Sequence, residues 1–164
     1  EQYQLYVDEW SNTNDAYFKD TIIKNYIYKG ASLEWQMRKK CRLDGYYDSW
    51  DKLIPRDATI TEIGCGYGQL SFMLALLSPK RTVIGIDTDS EKIELCNHSF
   101  LCKNGNVRFV CADFASIDIP KSDIIIFNEN LHDIDLQSDL QQKAEESLKD
   151  GGKILGKIKG YDKR

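Results

Sequence analysis

The chain has 164 residues, a formal net charge of −4 and an isoelectric point near 5.2. That length supports one domain with a sizeable core, since such a chain buries roughly 70% of its unfolded surface. The acidic balance argues against a dominant phosphate-binding surface, and the longest apolar run, near Phe72–Leu77, is far too short to span a bilayer.

Residues 1–55 read as a helical lead-in or lid, and residues 56–164 as an alternating α/β core, together making one compact domain. The lead-in is rich in aromatics and poor in β-branched runs. Asn14 to about Tyr28 has the spacing of a helix, with Phe18, Ile22, Ile23, Tyr26 and Ile27 on one side. Gly30 interrupts it. Ser32 can cap a second helix to about Arg42, with Leu33, Met37 and Cys41 on one stripe. A third helix, Tyr46 to Leu53, ends before Ile54-Pro55, because proline disfavours helical geometry in its predecessor.

From Arg56 strands and helices alternate. Strand Thr59–Ile63 leads through a glycine-rich turn into an apolar helix, Gln69–Leu77. Strand Thr82–Ile86 ends at Asp87, and Thr88-x-x-Glu91 has the form of a capping box opening a helix to about Leu101. Strand Asn106–Cys111 follows, then Asp123–Phe127, whose continuous apolar run suits a strand buried on both faces. A helix from Leu136 to Lys149, with Leu136, Leu140, Ala144 and Leu148 on one stripe, is closed by Gly151-Gly152 before a last strand, Lys153–Ile158. The alternation predicts a mostly parallel sheet with right-handed crossovers and helices on both faces, a Rossmann-like three-layer sandwich.

In open sheets of this kind ligands bind beyond the carboxyl ends of the strands. Those ends are informative here. The first carries Gly64, Gly66 and Gly68, which permit positive φ and close approach of a ligand to the backbone. The second ends in Asp87, about twenty residues beyond the turn, where an acid can accept from both hydroxyls of a ribose. The third is followed by Asp113, which can accept from an adenine amino group, and Phe114, which can pack on the ring. The fourth ends in Asn128. Glu62 lies inside the first strand, where a buried carboxylate needs partners. A turn or N-cap role is the alternative for Asp87 and Asp113.

The five cysteines are odd in number and form no CxxC, which points to a reducing, cytoplasmic setting rather than a disulfide scaffold. Cys96, His98 and Cys102 lack finger-like ligand spacing, so no metal is assigned.

Glu62-Ile-Gly-Cys-Gly-Tyr-Gly68, Gly85-Ile-Asp87, Ala112-Asp113-Phe114, Asp123-Ile-Ile-Ile-Phe-Asn128 and Leu148-Lys-Asp-Gly-Gly-Lys153 resemble, in order and spacing, the successive motifs of class I methyltransferases dependent on S-adenosylmethionine (SAM). The resemblance covers residues 56–158. It implies SAM as cofactor and S-adenosylhomocysteine (SAH) as product. Its cofactor set would be Glu62, Gly64, Gly66, Gly68, Asp87, Thr88, Asp113, Phe114 and Asn128, with Glu62 facing the methionine ammonium. Tyr28-Lys-Gly30 and Glu34-Trp35 are similar to the lead-in of methyltransferase domains found beside acyltransferase-type domains, making Tyr28 and Lys29 candidate lid residues.

Acceptor specificity lies in variable segments. Amino-methyltransferases of nucleic acids carry Asn/Asp-Pro-Pro-aromatic after the fourth strand. Asn128-Glu129-Asn130-Leu131 stands here instead, which argues against nucleic acid and for a small-molecule or lipid-like acceptor. His132 is the candidate base, although in-line alignment alone can suffice. Two rivals are weighed. A non-catalytic SAM-binding module would share every cofactor residue. An NAD-dependent oxidoreductase would require G-x-G-x-x-G, yet Ser71 occupies the third-glycine position counted from Gly66. Relatives of this class continue after the fifth strand with a helix and an antiparallel hairpin. Only Lys159 to Arg164 follow here. The expectation is therefore a piece of a longer polypeptide with neighbouring domains and without its final hairpin, whose fifth strand pairs with another copy in a homodimer or stays mobile.

Overall fold

The computed structural model describes residues 22, 26, 31–39, 46–127 and 139–156. Helix α1 (Ala31–Arg38) and helix α2 (Tyr46–Leu53) precede strand β1 (Thr59–Ile63), helix α3 (Gln69–Leu77) and strand β2 (Thr82–Asp87). Helix α4 (Ser90–Asn97), strand β3 (Val107–Cys111), strand β4 (Ser122–Phe127), helix α5 (Asp139–Glu146) and strand β5 (Leu148–Gly156) complete the order. Short 3₁₀ turns lie at Phe100–Asn104 and Phe114–Ser116.

The five strands form one sheet in the order β3-β2-β1-β4-β5, with every described pairing parallel. β1 is central. The chain winds outward from it through β2 to β3, then returns to β4 on its other side, so the switch point falls between β1 and β4. Alternation along each strand divides the core in two. Ile60, Val83, Phe109, Ile124 and Ile126 pack with Leu70 and Leu74 of α3 and Ile93 of α4. Ile63, Ile84, Ile86, Ile125 and Phe127 pack with Phe114 and with Ala144 of α5. Burying each of these large side chains stabilises the fold by about 1.5–3 kcal/mol. Ile22, Met37 and Ile54 from the lead-in join the first cluster. Among the described residues, no helix is long and apolar enough to cross a membrane.

Several boundaries differ from the sequence expectation. Thr88 does not cap α4. Asp89 does, its side chain accepting from the N–H groups of Glu91 and Lys92. The Thr88-x-x-Glu91 pattern misleads because an aspartate one residue later reaches two orphan donors at once. α4 also stops at Asn97, four residues before Leu101, because Ser99 takes an extended backbone and caps the 3₁₀ turn instead. Leu148 and Lys149 are strand, not helix. α5 ends at Glu146, and Ser147 turns the chain, with its carbonyl accepting from Ser122 N. Gly151-Gly152 does not close a helix. Ser122 pairs Leu148 while Ile124 pairs Lys153, so β5 bulges there, with Gly151 at φ +77°. Leu148 still joins the cluster of Leu140 and Ala144 as expected, but from the strand. The expected Asn14–Tyr28 helix falls almost entirely outside the described residues, as do Leu136 and the last residues of the expected fifth strand.

An arginine outside every motif ties the lead-in to the sheet. Arg81 is fully buried. Its Nη1 donates to Asp51 Oδ1 at 2.6 Å and to the Leu74 carbonyl at 3.0 Å. Its Nη2 donates to the Ile54 carbonyl at 2.8 Å and its Nε to the Pro55 carbonyl at 3.1 Å. One side chain thereby satisfies carbonyls at the C-terminal ends of both α2 and α3, where the helix dipoles favour a cation. Burial lowers the guanidinium pKa, and Asp51 opposes that shift. Removing one partner of a buried charge pair costs several kcal/mol. Arg81→Met should therefore lose about 3 kcal/mol in urea unfolding, whereas the same change at the largely exposed Arg56 should cost little. Equal, small losses at both sites would refute the tie.

Candidate active site

The turn after β1 is built from three glycines with positive φ: Gly64 at +74°, Gly66 at +56° and Gly68 at +78°. An L-residue rarely adopts such values. The carbonyl of Ile86, at the end of β2, accepts from both Gly64 N and Cys65 N, at 2.8 and 3.0 Å. Gly68 then sits at the N-cap of α3 without a side-chain cap. A Cβ on Gly68 would lie 2.8 Å from the Phe109 ring and 2.9 Å from Cys96 Sγ. Gly68 is therefore required by packing against β3 and α4, as is Gly85, whose Cβ would lie 2.6 Å from the same ring.

Asp87 closes the turn from the neighbouring strand. Its Oδ2 accepts from Gly66 N and its Oδ1 from Asp89 N, both at 2.9 Å. The carboxylate is half-buried at the mouth of a cleft lined by Ile63, Gly64, Ile86, Asp87, Thr88, Ala112, Asp113, Phe114, Phe127 and Leu140. Five candidate site residues, Gly64, Asp87, Thr88, Asp113 and Phe114, thus share one cleft at the switch point. Asp113 is exposed, and one of its oxygens accepts from Ala115 N at 3.0 Å. Phe114 is buried, packed edge-on against Phe127 at 6.1 Å, with Lys143 Nζ 5.2 Å from its ring centroid. The ring belongs to the core and offers the cleft only part of its surface.

Glu62 lies on the opposite face of β1, pointing under α3. It is fully buried and accepts from Ser71 Oγ at 2.7 Å. Its placement on the central strand agrees with the expectation of an enclosed carboxylate. Ser71 as its partner was not anticipated, although a lone buried hydroxyl in an apolar helix is the signal that could have found it. Ile63, Ile86, Phe127 and Leu140 form an apolar wall of the cleft, a role that the sequence pattern does not distinguish from core packing. Tyr28, Lys29, Asn128 and His132 lie outside the described residues. Tyr26, next to that lead-in segment, donates from its hydroxyl to the Tyr67 carbonyl in the turn, and the two rings meet edge-on.

The residues matched by the family model described as "Methyltransferase domain" run from 55 to 158, more than half of the chain. The chain belongs to this methyltransferase domain family. A malonyl-[acyl-carrier protein] O-methyltransferase of Priestia megaterium is 29% identical over 101 residues, covering 61% of this chain and 36% of that protein. An uncharacterised protein of Methanocaldococcus jannaschii is 37% identical over 59 residues, 36% of this chain and 26% of that protein. The chain thus spans about a third or less of the curated relatives it matches. A TehB-like SAM-dependent methyltransferase of Corynebacterium glutamicum superposes with a TM-score of 0.58 at 19% identity, covering 81% of this chain and 71% of the other. A coclaurine N-methyltransferase solved with N-methylheliamine and SAH gives 0.60 at 18% identity, covering 70% and 36%. At these identities the superpositions establish the Rossmann-like methyltransferase fold.

Two thiols of this methyltransferase domain flank the turn. Cys65 Sγ and Cys96 Sγ approach the Gly66 carbonyl at 3.9 and 3.7 Å. Burial pushes both thiol pKa values far up, and the Glu62 carboxylate adds to the shift. Burial also pushes Cys102 up to about 11, while Cys111, at the end of β3, is exposed. Among the described residues, no three His, Cys, Asp or Glu side chains are placed to hold a metal. Thiolates are the reactive form. A thiol reagent at pH 8, applied to a Cys41→Ser background, should therefore modify Cys111 rapidly, Cys102 slowly, and Cys65 and Cys96 only after denaturation. Because these raised pKa values favour the folded state only while the unfolded thiols stay protonated, stability should fall as pH rises above about 9. Rapid labelling of Cys96 in the folded protein would contradict its burial.

Proposed function

We propose that this chain is a SAM-dependent methyltransferase domain acting on a small-molecule or lipid-like acceptor. The observation that carries the proposal is Asp87. Its two oxygens hold the glycine turn and the following loop, each through one lone pair, and each has a second lone pair directed by the same geometry. A ribose diol at the mouth of the cleft fits that remaining capacity. Among the described residues, the cleft lining carries two carboxylates and no basic side chain. Such a lining disfavours the pyrophosphate of a dinucleotide and favours a cationic, phosphate-free cofactor. Ser71 at the third-glycine position argues the same way, because its side chain is engaged with Glu62.

When bound, SAM supplies a methyl group on a sulfonium, which an acceptor atom displaces in line to leave SAH. The chain's own residues then have separate tasks. Asp87 orients the ribose. Asp113 accepts from the adenine amino group with the oxygen not given to Ala115, beside the exposed part of Phe114. Glu62 balances the methionine ammonium from beneath the turn. Thr88, Asn128 and the lead-in residues Tyr28 and Lys29 complete the cofactor set. Apolar walls from Ile63, Ile86 and Phe127 exclude water. His132 is the candidate base. Support for an acyl-type acceptor comes from the Priestia megaterium relative, which is by name a malonyl-[acyl-carrier protein] O-methyltransferase. The acidic chain and the residues after β4 disfavour a nucleic acid.

Asp87→Ala should weaken SAH binding by about 1.5–3 kcal/mol in calorimetry on the folded variant, as for hydrogen bonds to a charged group. Unchanged affinity would reject the ribose contact. Asp113→Ala should weaken adenosine as well as SAH, and intact adenosine binding would reject the adenine contact. A non-catalytic binding module is the second reading, since it uses the same cleft. Incubating the chain with methyl-labelled SAM and malonyl-acyl carrier protein, free fatty acids or transfer RNA separates the two. Label should appear in the acyl-type acceptors. SAM binding with no SAH formed from any acceptor would favour the module.

A further inference from the structure

Helix α1 presents a face that the core does not use. Leu33 and Met37, four residues apart, turn inward and pack with the cluster around α3. Ser32, Trp35, Gln36 and Lys39 are exposed on the other side. Trp35 is 62% exposed, more than any other large hydrophobic side chain among the described residues. Lys39, just past the end of the helix, places its Nζ 5.8 Å from the Trp35 ring centroid. A single exposed indole needs no explanation by itself. The charge beside it does. Arg38-Lys39-Lys40-Cys41-Arg42 holds four cations and no acid. Removing these four leaves 18 basic against 26 acidic residues in the chain. Chain length alone keeps Arg42 within about 11 Å of Lys39, comparable to the screening length at physiological salt. These cations therefore act together on whatever meets the Trp35 face.

We infer that this face of α1 docks on an anionic lipid bilayer. Tryptophan has an apolar body and one N–H donor, and it settles at headgroup level, where both are satisfied. Lysines and arginines clustered on a helix that also carries an apolar side chain are drawn to anionic headgroups. The Lys39 stem can lie along the indole while its ammonium meets a lipid phosphate. An acidic protein surface would answer the charges, but it would need a shaped apolar pocket to seat one tryptophan. A bilayer takes an isolated indole without a pocket. Leu33 and Met37 stay in the core throughout, so docking uses a surface already formed. Contact of this kind is peripheral and needs no spanning helix. It does not depend on which atom or molecule accepts the methyl group.

The test is sedimentation of the whole chain with vesicles of phosphatidylcholine alone, and of phosphatidylcholine and phosphatidylglycerol in equal parts. The chain should bind only the anionic vesicles, and at least tenfold more weakly at roughly 1 M salt. Lys39→Glu with Lys40→Glu should lower that binding more than tenfold. Trp35→Ser should lower it about fivefold and leave urea unfolding unchanged, because the ring is exposed. The same double reversal at Lys157 and Lys159 should leave binding within about twofold. No vesicle binding, equal binding to both vesicle types, intact binding of Trp35→Ser, or an equal loss on reversing Lys157 and Lys159 would each overturn the proposal. Binding of an acidic acyl carrier protein through Trp35, without vesicle binding, would make the face a protein-docking surface and overturn it as well. If the double reversal at Lys39 and Lys40 fails to fold, Trp35→Ser and the salt series decide the matter between them.

Discussion

The structure depends on how the backbone leaves β1. Three positive-φ glycines turn it within a few residues, and besides the bond from Gly68 N to the Cys65 carbonyl that path is held from the neighbouring strand. The Ile86 carbonyl takes two N–H groups of the turn, and the Asp87 carboxylate takes a third, at Gly66. Buried backbone donors must be paired. These acceptors exist only when β2 lies in register beside β1, with Ile63 opposite Ile86. The turn, the two-strand register and the mouth of the cleft therefore form together. Asp87 thus serves the fold through one bond from each oxygen, and the ribose contact proposed above would use the remaining lone pairs of the same carboxylate.

Three carboxylates around the turn occupy graded environments. Glu62 is enclosed, Asp87 is half-buried and Asp113 is exposed. Desolvation of a charge grows along that order in reverse, and so does the demand for partners. Asp113 is held by one N–H of its own 3₁₀ turn, whereas Glu62 draws a hydroxyl from a helix that is otherwise apolar. The thiols of Cys65 and Cys96 are buried beside the turn, where burial first, and then the nearby Glu62 and Asp87 carboxylates, keep them protonated. Both thiols are thereby held in their unreactive form.

The opposite end of the sheet is held differently. There a buried guanidinium gathers the carbonyls of Asp51 in α2, Leu74 in α3 and the Ile54-Pro55 link. The lead-in is thus anchored below the sheet by Arg81. Above it, the lead-in reaches the turn through the Tyr26 hydroxyl on the Tyr67 carbonyl.

Periodicity and strand-end chemistry in the sequence determined much of this by themselves. The limits of β1 and α3, the central place of β1, the parallel sheet and the convergence of the glycine turn, Asp87 and Asp113 on one end follow from local pattern and chain order. What the sequence could not decide were choices between near-equal local options. Thr88 and Asp89 both suit an N-cap, and only the position of Asp87, whose Oδ1 takes Asp89 N, selects Asp89. Leu148 and Gly151-Gly152 read equally well as a helix end or a bulged strand, and pairing with Ser122 selects the strand. The partners of Arg81 and Ser71 lie 30 and 9 residues away in sequence. A buried polar side chain is specified by what surrounds it in space, because desolvation makes its partner obligatory without making that partner local.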